Sequence, residues 1–463
     1  MFYPSFCRNV GISLETNRTM VVKSIKSIKS FLQEDQVVCP DPTIHPFFHR
    51  FNLTMGQKIQ IIVMSITIAP VRLIFASFFF FLTWAWAYLI TTSMKSESNE
   101  PFGTTYARLL KVMRCLARLT LFCVGFHRIT VKGEPASQAD APVMVAAPHS
   151  SLLDTVVFFV CKEIPSTVSR YENSSAMFSG TILKAMRPVL VLRQDQESRR
   201  KSADEIARRA QSGGKWPQTV IFPEGTCTNR KVLIGFKAGG FACGAPVQPI
   251  GLRFPNRLDT LSWVENGPCG RALFWLTLCQ FQTKCEVHCL PVYNPSDKEQ
   301  QDPTLFAENV RKVIADQLDL PCTEHTFDDC RLMRQAKKLG LSMEVGLVEY
   351  YKLRRNMVVN MESLFARLSE FACITNGKSS GTITIEDLAS FLRSPITPTM
   401  KRFFSAFDKE GKGQITFRDY ILGLSLYSPL RTTETSIKQV FDTFNKSGCQ
   451  LSSADIALYN NPS

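Results

Sequence analysis

Apolar and polar positions divide the chain into regions of different period. From Leu73 to Thr92 the sequence LIFASFFFFLTWAWAYLITT runs for 20 residues without a charge. As one helix rising 1.5 Å per residue it is long enough to cross bilayer hydrocarbon. Trp84, Trp86 and Tyr88 stand toward one end, where aromatic rings collect at a membrane interface. A buried core helix is the alternative, but core helices are seldom apolar all round. A shorter stretch, Ile59 to Val71, precedes the run and is interrupted at Pro70 and Arg72. Too short to span alone, it predicts an interfacial segment or the first arm of a hairpin. Residues 1–72 carry eight Lys/Arg and residues 95–132 carry seven, a balance that a hairpin with both ends on one side satisfies. Over 103–128, Leu109, Val112, Met113, Leu116 and Leu119 recur at helical spacing with Arg108, Lys111, Arg114 and Arg118 between them. That pattern predicts a basic amphipathic helix suited to a membrane surface.

Between about 129 and 320 the period changes. Short apolar runs (Val143–Ala147, Val189–Leu192, Thr219–Phe222, Val247–Leu252, Val287–Val292) alternate with helix-like stretches such as Ser202–Ser212. Strands alternating with helices predict an α/β domain with a largely parallel sheet. From about 330 the chain turns helical and polar.

Composition narrows the partners. The net charge of +14 attracts polyanions: nucleic acid, an anionic membrane or a phosphate-bearing substrate. No zinc-finger spacing and no RNA-binding aromatic signature occurs, so nucleic acid is not expected. The 15 Cys are odd in number and contain no C-x-x-C pair, which fits free thiols in a reducing compartment.

Four local features carry chemistry. His149-Ser-Ser-Leu-Leu-Asp154 follows the strand-like VMVAA and a proline. The strand delivers His149 to the sheet edge where α/β ligands bind, and Asp154 returns from the next helical turn. A carboxylate on one imidazole nitrogen fixes the tautomer and leaves the other as a general base. Ser151-x-x-Asp154 also reads as a capping box, so the carboxylate has a purely structural alternative. The second feature, Phe222-Pro-Glu-Gly-Thr-Cys-Thr-Asn-Arg230, offers Glu224, Gly225 and the donors Thr226, Thr228, Asn229 and Arg230 to a polyol phosphate head group. The third is Arg187-Pro-Val-Leu-Val-Leu-Arg193, whose terminal arginine is a phosphate partner. The fourth, Gly244-Ala-Pro-Val-Gln-Pro-Ile-Gly251, is a strand bracketed by prolines that would wall a lipid cleft. Cys227 has no neighbouring His in sequence, which favours packing or substrate contact over a nucleophile's role.

Together, in this order, the four blocks resemble the HxxxxD, arginine, EG and proline blocks of the glycerophospholipid acyltransferase superfamily. FPEGTCTNR, GFKAGGFACGAPVQPI, PNRLDTLSW and LTLCQF are closer still to the lysophosphatidylcholine acyltransferases, above all the type 2/2B branch with its platelet-activating-factor acetyltransferase activity. The resemblance covers residues 40–460. It implies His149 as base and Asp154 as its orienting carboxylate, with no covalent acyl-enzyme. Arg193, Glu224, Gly225, Thr226, Cys227 and Pro249 are implied on the substrate. It also implies acyl-CoA or acetyl-CoA as co-substrate with no tightly bound cofactor, and lysophospholipid and membrane lipids as partners. The location it implies is the endoplasmic reticulum membrane, with Golgi or lipid droplet as alternatives and the soluble domains cytosolic. Oligomeric state, head group and acyl length stay open.

Asp408-Lys-Glu-Gly-Lys-Gly-Gln-Ile-Thr-Phe-Arg-Asp419 fits the twelve-residue EF-hand frame, with Gly413 at the sharp turn and Ile415 at position eight. Asp408, Glu410 and Asp419 are the calcium candidates, against which Lys412 at position five counts directly. Asn376–Asp387 and Phe444–Leu451 are poorer echoes. The fold expected is an α/β acyltransferase domain with a membrane-embedded N-terminal helix or hairpin, followed by a helical EF-hand-like domain. Its segments are 1–56, a cytosolic stretch; 57–94, the anchor; 95–325, the acyltransferase domain; 326–360, a helical linker; and 361–463, the degenerate EF-hand-like domain. Two other classes compete. A calcium-responsive adaptor that has lost catalysis would not need the polar residues that all four blocks retain. A serine or cysteine hydrolase would need a G-x-S-x-G elbow that leads into a helix and a second His near a plausible nucleophile, and the sequence offers neither.

Overall fold

The computed structural model describes residues 45–93, 103–161, 163–192, 195–356, 359–375, 381–408, 410–427 and 437. The chain forms two units, one of residues 43–323 and one built from residue 324 onward.

In the first unit, Thr54 opens helix α1 (Met55–Ile66) with a reciprocal capping box: its side chain accepts from the Gln57 N–H, and the Gln57 side chain accepts from the Thr54 N–H. Thr67 separates it from α2 (Ile68–Ser93), where Pro70 lies in the first turn and so marks a start instead of a break. The inward stripe of α2 is mostly small, with Ala69, Ala76, Thr83, Ala87 and Ile90 buried, while Ile74, Phe75, Phe78, Leu82 and Leu89 are exposed. A helix that turns its large apolar side chains outward matches lipid, not water. By length and composition it alone among the described helices is fit to cross a membrane. Arg72 donates to the carbonyls of Leu278, Gln280 and Phe281, closing the C-terminus of the helix Gly270–Leu278. Helix α3 (Thr104–Val124) packs on α2 through Tyr106, Leu110 and Met113, and the Trp86 indole donates to the Leu109 carbonyl at 2.9 Å. Val112, Leu119 and Phe122 face outward from it.

Seven strands follow: β1 (Ile129–Lys132), β2 (Val143–Ala147), β3 (Ser166–Arg170), β4 (Val189–Val191), β5 (Thr219–Ile221), β6 (Val247–Arg253) and β7 (Cys285–Cys289). Their order is β1-β7-β6-β2-β5-β3-β4. Every adjacent pair is parallel except β6 with β7, so β1 and β7 run against the other five. The two-residue period of β2 sorts its side chains between two cores. Met144 and Ala146 pack with Met64, Ala76, Leu121 and Val124 on the face covered by α1–α3. Val143, Val145 and Ala147 pack with Phe241, Phe306, Val310 and Ile314 on the other. Helices on both faces explain why β2 is buried at all five positions.

The second unit is helical. Helices Met361–Ile374, Ile385–Leu392, Pro398–Ser405 and Phe417–Tyr427 surround Leu368, Phe371, Met400, Phe403, Phe407 and Tyr420. Two-residue strands β8 (Thr382–Ile383) and β9 (Ile415–Thr416) pair antiparallel with Ile383 opposite Ile415. Phe444–Leu451 and residues 376–380 of the first echo lie outside the described residues.

Candidate active site

Strand β2 ends at Ala147, and a cis Ala147–Pro148 bond leads to His149 at the sheet edge. The chain then turns into a 3₁₀ helix, Leu152–Phe159, capped by Ser151. Asp154 is fully buried beneath this turn. Its Oδ2 accepts from the backbone N–H groups of Ser150 (2.5 Å) and Ser151 (2.9 Å) and from His149 Nδ1 (2.8 Å). Its Oδ1 accepts from the Ser150 hydroxyl at 2.8 Å. A carboxylate only accepts, so the neutral imidazole carries its proton on Nδ1 and turns its Nε2 lone pair away from Asp154. The capping box and the contact to the imidazole therefore coexist on one carboxyl group.

The imidazole stacks on Phe222 with centroids 4.4 Å apart. Burial opposes its charged form, but Cys227, in electrostatic and hydrogen-bond contact with the ring, and Asp154 outweigh burial and push its pKa up. The fold thus supplies Cys227 with the histidine that sequence adjacency did not show.

Glu224 lies under the loop, not in it. It is fully buried, and its Oε2 accepts the His149 backbone N–H at 2.6 Å. Burial pushes its carboxyl pKa up to about 8, against the opposing pull of the His149 N–H. That makes it a strut for the dyad's backbone, where the sequence pointed to substrate. Gly225 adopts φ +68°, and a Cβ there would stand 2.8 Å from Lys237 Cε and 3.1 Å from its Nζ. The glycine thus lets the Lys237 stem lie across the turn, whose Pro223 carbonyl accepts the Lys237 N–H. Lys237 is a site cation that sequence reasoning missed; GFKAGG carries no spacing signal that singles it out. Thr226 and Cys227 are half-buried.

The remaining donors of that loop are consumed by the protein itself. Thr228 donates its N–H to the His149 carbonyl at 2.7 Å. The Asn229 amide donates to the carbonyls of His45 and Phe48. Arg230 pairs with Asp259 at 2.5 Å, donates to the Ser150 hydroxyl and lies over Phe254. The head-group role expected of Thr228, Asn229 and Arg230 is corrected accordingly: they brace the dyad loop. Pro249 is buried in mid-strand opposite Val145, within the sheet and away from the dyad. Arg193 lies outside the described residues.

The structure does not bring Asp408, Glu410 and Asp419 together as a metal site; no cluster of three or more His, Cys, Asp or Glu fit to hold a metal is found among the described residues. Asp408 accepts the N–H groups of Lys412 and Gly413, Asp419 caps Thr416, and the Lys412 ammonium pairs with Glu410 at 2.5 Å. A tethered cation already faces the acids, so this donor set does not fit calcium.

The family described as Acyltransferase matches residues 128–253, the stretch that holds the dyad and the Glu224 turn. The chain is 41% identical over 418 residues to lysophosphatidylcholine acyltransferase 2 of Danio rerio, covering 89% of this chain and 78% of that protein. It is 39% identical over 407 residues to lysophosphatidylcholine acyltransferase 2 of Mus musculus, covering 88% and 74%. With lysophosphatidylcholine acyltransferase 1 of Mus musculus it shares 39% over 404 residues, covering 87% and 75%. Among solved structures it is similar to the 1-acyl-sn-glycerophosphate (LPA) acyltransferase PlsC from Thermotoga maritima, with a TM-score of 0.38, 15% identity, and coverage of 57% of this chain and 98% of that one.

Proposed function

The chain belongs to the lysophosphatidylcholine acyltransferase family, and from that premise we propose that it moves an acyl group from a CoA thioester to the sn-2 hydroxyl of lysophosphatidylcholine or lyso-platelet-activating factor. Long-chain acyl-CoA and acetyl-CoA are the alternative donors. The carrying observation is the 2.8 Å His149–Asp154 bond, which directs Nε2 away from the carboxylate and toward the Cys227 side, on a ring whose side chain is 23% exposed. Nε2 takes the hydroxyl proton as the oxygen bonds to the thioester carbonyl. The carbon–sulfur bond then breaks, and the imidazolium returns the proton to the departing CoA thiolate, so no acyl-enzyme forms. Gly225, Thr226, Cys227 and Lys237 line the acceptor side, with Arg193 as a further phosphate partner. Glu224 and Asp154 hold the base in place.

Helices α1 and α2 form the membrane anchor, as a single span or a hairpin. The endoplasmic reticulum membrane is the proposed location, with Golgi membranes and lipid droplets as alternatives and both units on the cytosolic side. Every described cysteine is a free thiol, which suits that compartment. The second unit is a degenerate EF-hand pair, a reading supported by Ile383 and Ile415, which pair at the eighth position of their loops.

Transfer of labelled acyl groups to lysophosphatidylcholine, in membranes holding wild type or His149→Ala, tests this reading. Transfer by the wild type that the variant lacks supports it. Equal transfer by both would end the His149 mechanism, and no transfer by either with any donor would favour an adaptor.

A further inference from the structure

Two substrates must reach His149, and the strand order separates their directions of approach. The Glu224–Cys227 turn follows β5, on one side of β2; β6, β7 and β1 lie on the other. Because β1 runs against β2, the residues just before β1 lie at the same sheet edge as His149. Three interstrand spacings of about 4.8 Å put them about 14 Å to the side.

A groove of about 690 Å³ opens there between α3 and β1, lined by Arg114, Arg118, His127 and Arg128 over Leu119 and Phe159. A smaller hollow of about 210 Å³ shares His127 and Arg128 and adds Lys284. No carboxylate lines the larger groove among the described residues. Glu286, in the smaller one, pairs with Lys132 at 2.9 Å. Arg114 donates to the carbonyls of Cys161 and Phe159, and Arg118 to those of Phe126 and His127. The acceptors in these bonds are neutral carbonyl oxygens, which fix the direction of each guanidinium. Phe159 also ends the 3₁₀ helix whose first turn carries Asp154, so one element touches both groove and dyad.

We propose that this groove binds the phosphates at the nucleotide end of the CoA donor, with the thioester reaching along the sheet edge to His149. The proposal rests on the CoA-thioester reading above. Arginine forks suit phosphate oxygens, and Leu119 with Phe159 offers an apolar floor to the adenine and pantetheine arm.

The test uses the full chain in phosphatidylcholine nanodiscs, wild type beside Arg128→Glu/Lys284→Glu. Both positions are exposed, and unchanged thermal unfolding of the variant checks its fold. KM for acyl-CoA is expected to rise about tenfold or more, the effect of one lost charge-assisted contact, with KM for lysophosphatidylcholine unchanged. Free CoA should bind the wild type more tightly than the variant, and dephospho-CoA should narrow that difference. An unchanged donor KM and equal CoA binding would overturn the proposal. So would a rate response to phosphatidylserine added to the discs that the wild type shows and the variant lacks, with the donor KM intact, which would make the groove a lipid-headgroup site. CoA binding needs no turnover, so a wild type that transfers no acyl group would count against the function while the binding contrast still decides the groove.

Discussion

Each unit holds a histidine close in sequence to an aspartate that closes a capping box, and only one pair is a dyad. In the first, Asp154 closes the box with Ser151 and still meets His149 Nδ1 at 2.8 Å. In the second, Asp329 closes the box with Thr326, but His325 Nδ1 stands 3.9 Å away, beyond hydrogen bonding. Both carboxyl groups are fully buried. What differs is where their lone pairs go. Asp329 Oδ1 accepts from the N–H groups of Val348 and Tyr350, and Oδ2 from that of Thr326. Asp154 Oδ2 also accepts two backbone N–H groups, from Ser150 and Ser151, yet still reaches an imidazole that stands at the open edge of a sheet. A His and an Asp near each other in sequence are therefore weak evidence until the placement of the ring is known.

The largest effect that tests this contrast is on turnover. Asp154→Asn should lower kcat by about 10²–10⁴-fold, while His325→Ala leaves acyl transfer near wild type. Steady-state rates at equal folded protein check both. Next, Asp329→Ala should cost about 1–3 kcal/mol of stability, since it leaves buried N–H groups unpaired, with activity per folded molecule preserved; thermal unfolding reads this.

The pH profile sharpens the comparison further. His149 works as a base only when neutral, and Cys227 and Asp154 raise its pKa above the ordinary 6.5 in spite of burial. The value of kcat/KM should thus climb on the alkaline side of 6.5, and in Asp154→Asn the climb should move to lower pH. Glu224 gives a smaller effect. Its folded pKa of about 8 lies above its ordinary 4.5, so it is neutral at pH 7, and the stability it costs accrues as pH rises from 4.5 to about 8 and levels off above. Glu224→Gln should keep most activity and flatten that loss in unfolding experiments across this window. The smallest effect on catalysis is expected from Lys412→Asp, which removes the internal cation. Terbium luminescence should appear in the variant and stay absent in the wild type, with acyl transfer little changed.

Much of this was legible in the chain. The 20-residue apolar run lies inside α2, and Val143–Ala147 is β2 to the residue, because hydrophobic period is a local property that burial then enforces. The sheet is less regular than alternation predicted: β6 and β7 pair antiparallel, and β7 begins two residues before the apolar run that announced it. Its inward positions include Cys285 and Cys289, which hydropathy patterning undervalues.

The sequence by itself determined the long apolar helix, the α/β character of the middle region and the HSSLLD and FPEGTC blocks, since each depends on residues adjacent in the chain. Tertiary structure alone decided what those residues do. It turned Glu224 inward as a strut, committed Thr228, Asn229 and Arg230 to bracing, laid Lys237 over Gly225 and set Cys227 against His149. Each of these outcomes is a competition for donors and acceptors among groups tens of residues apart. A hydrogen-bonding group buried by folding must find a partner where the chain places it, and no local pattern records which partner it finds.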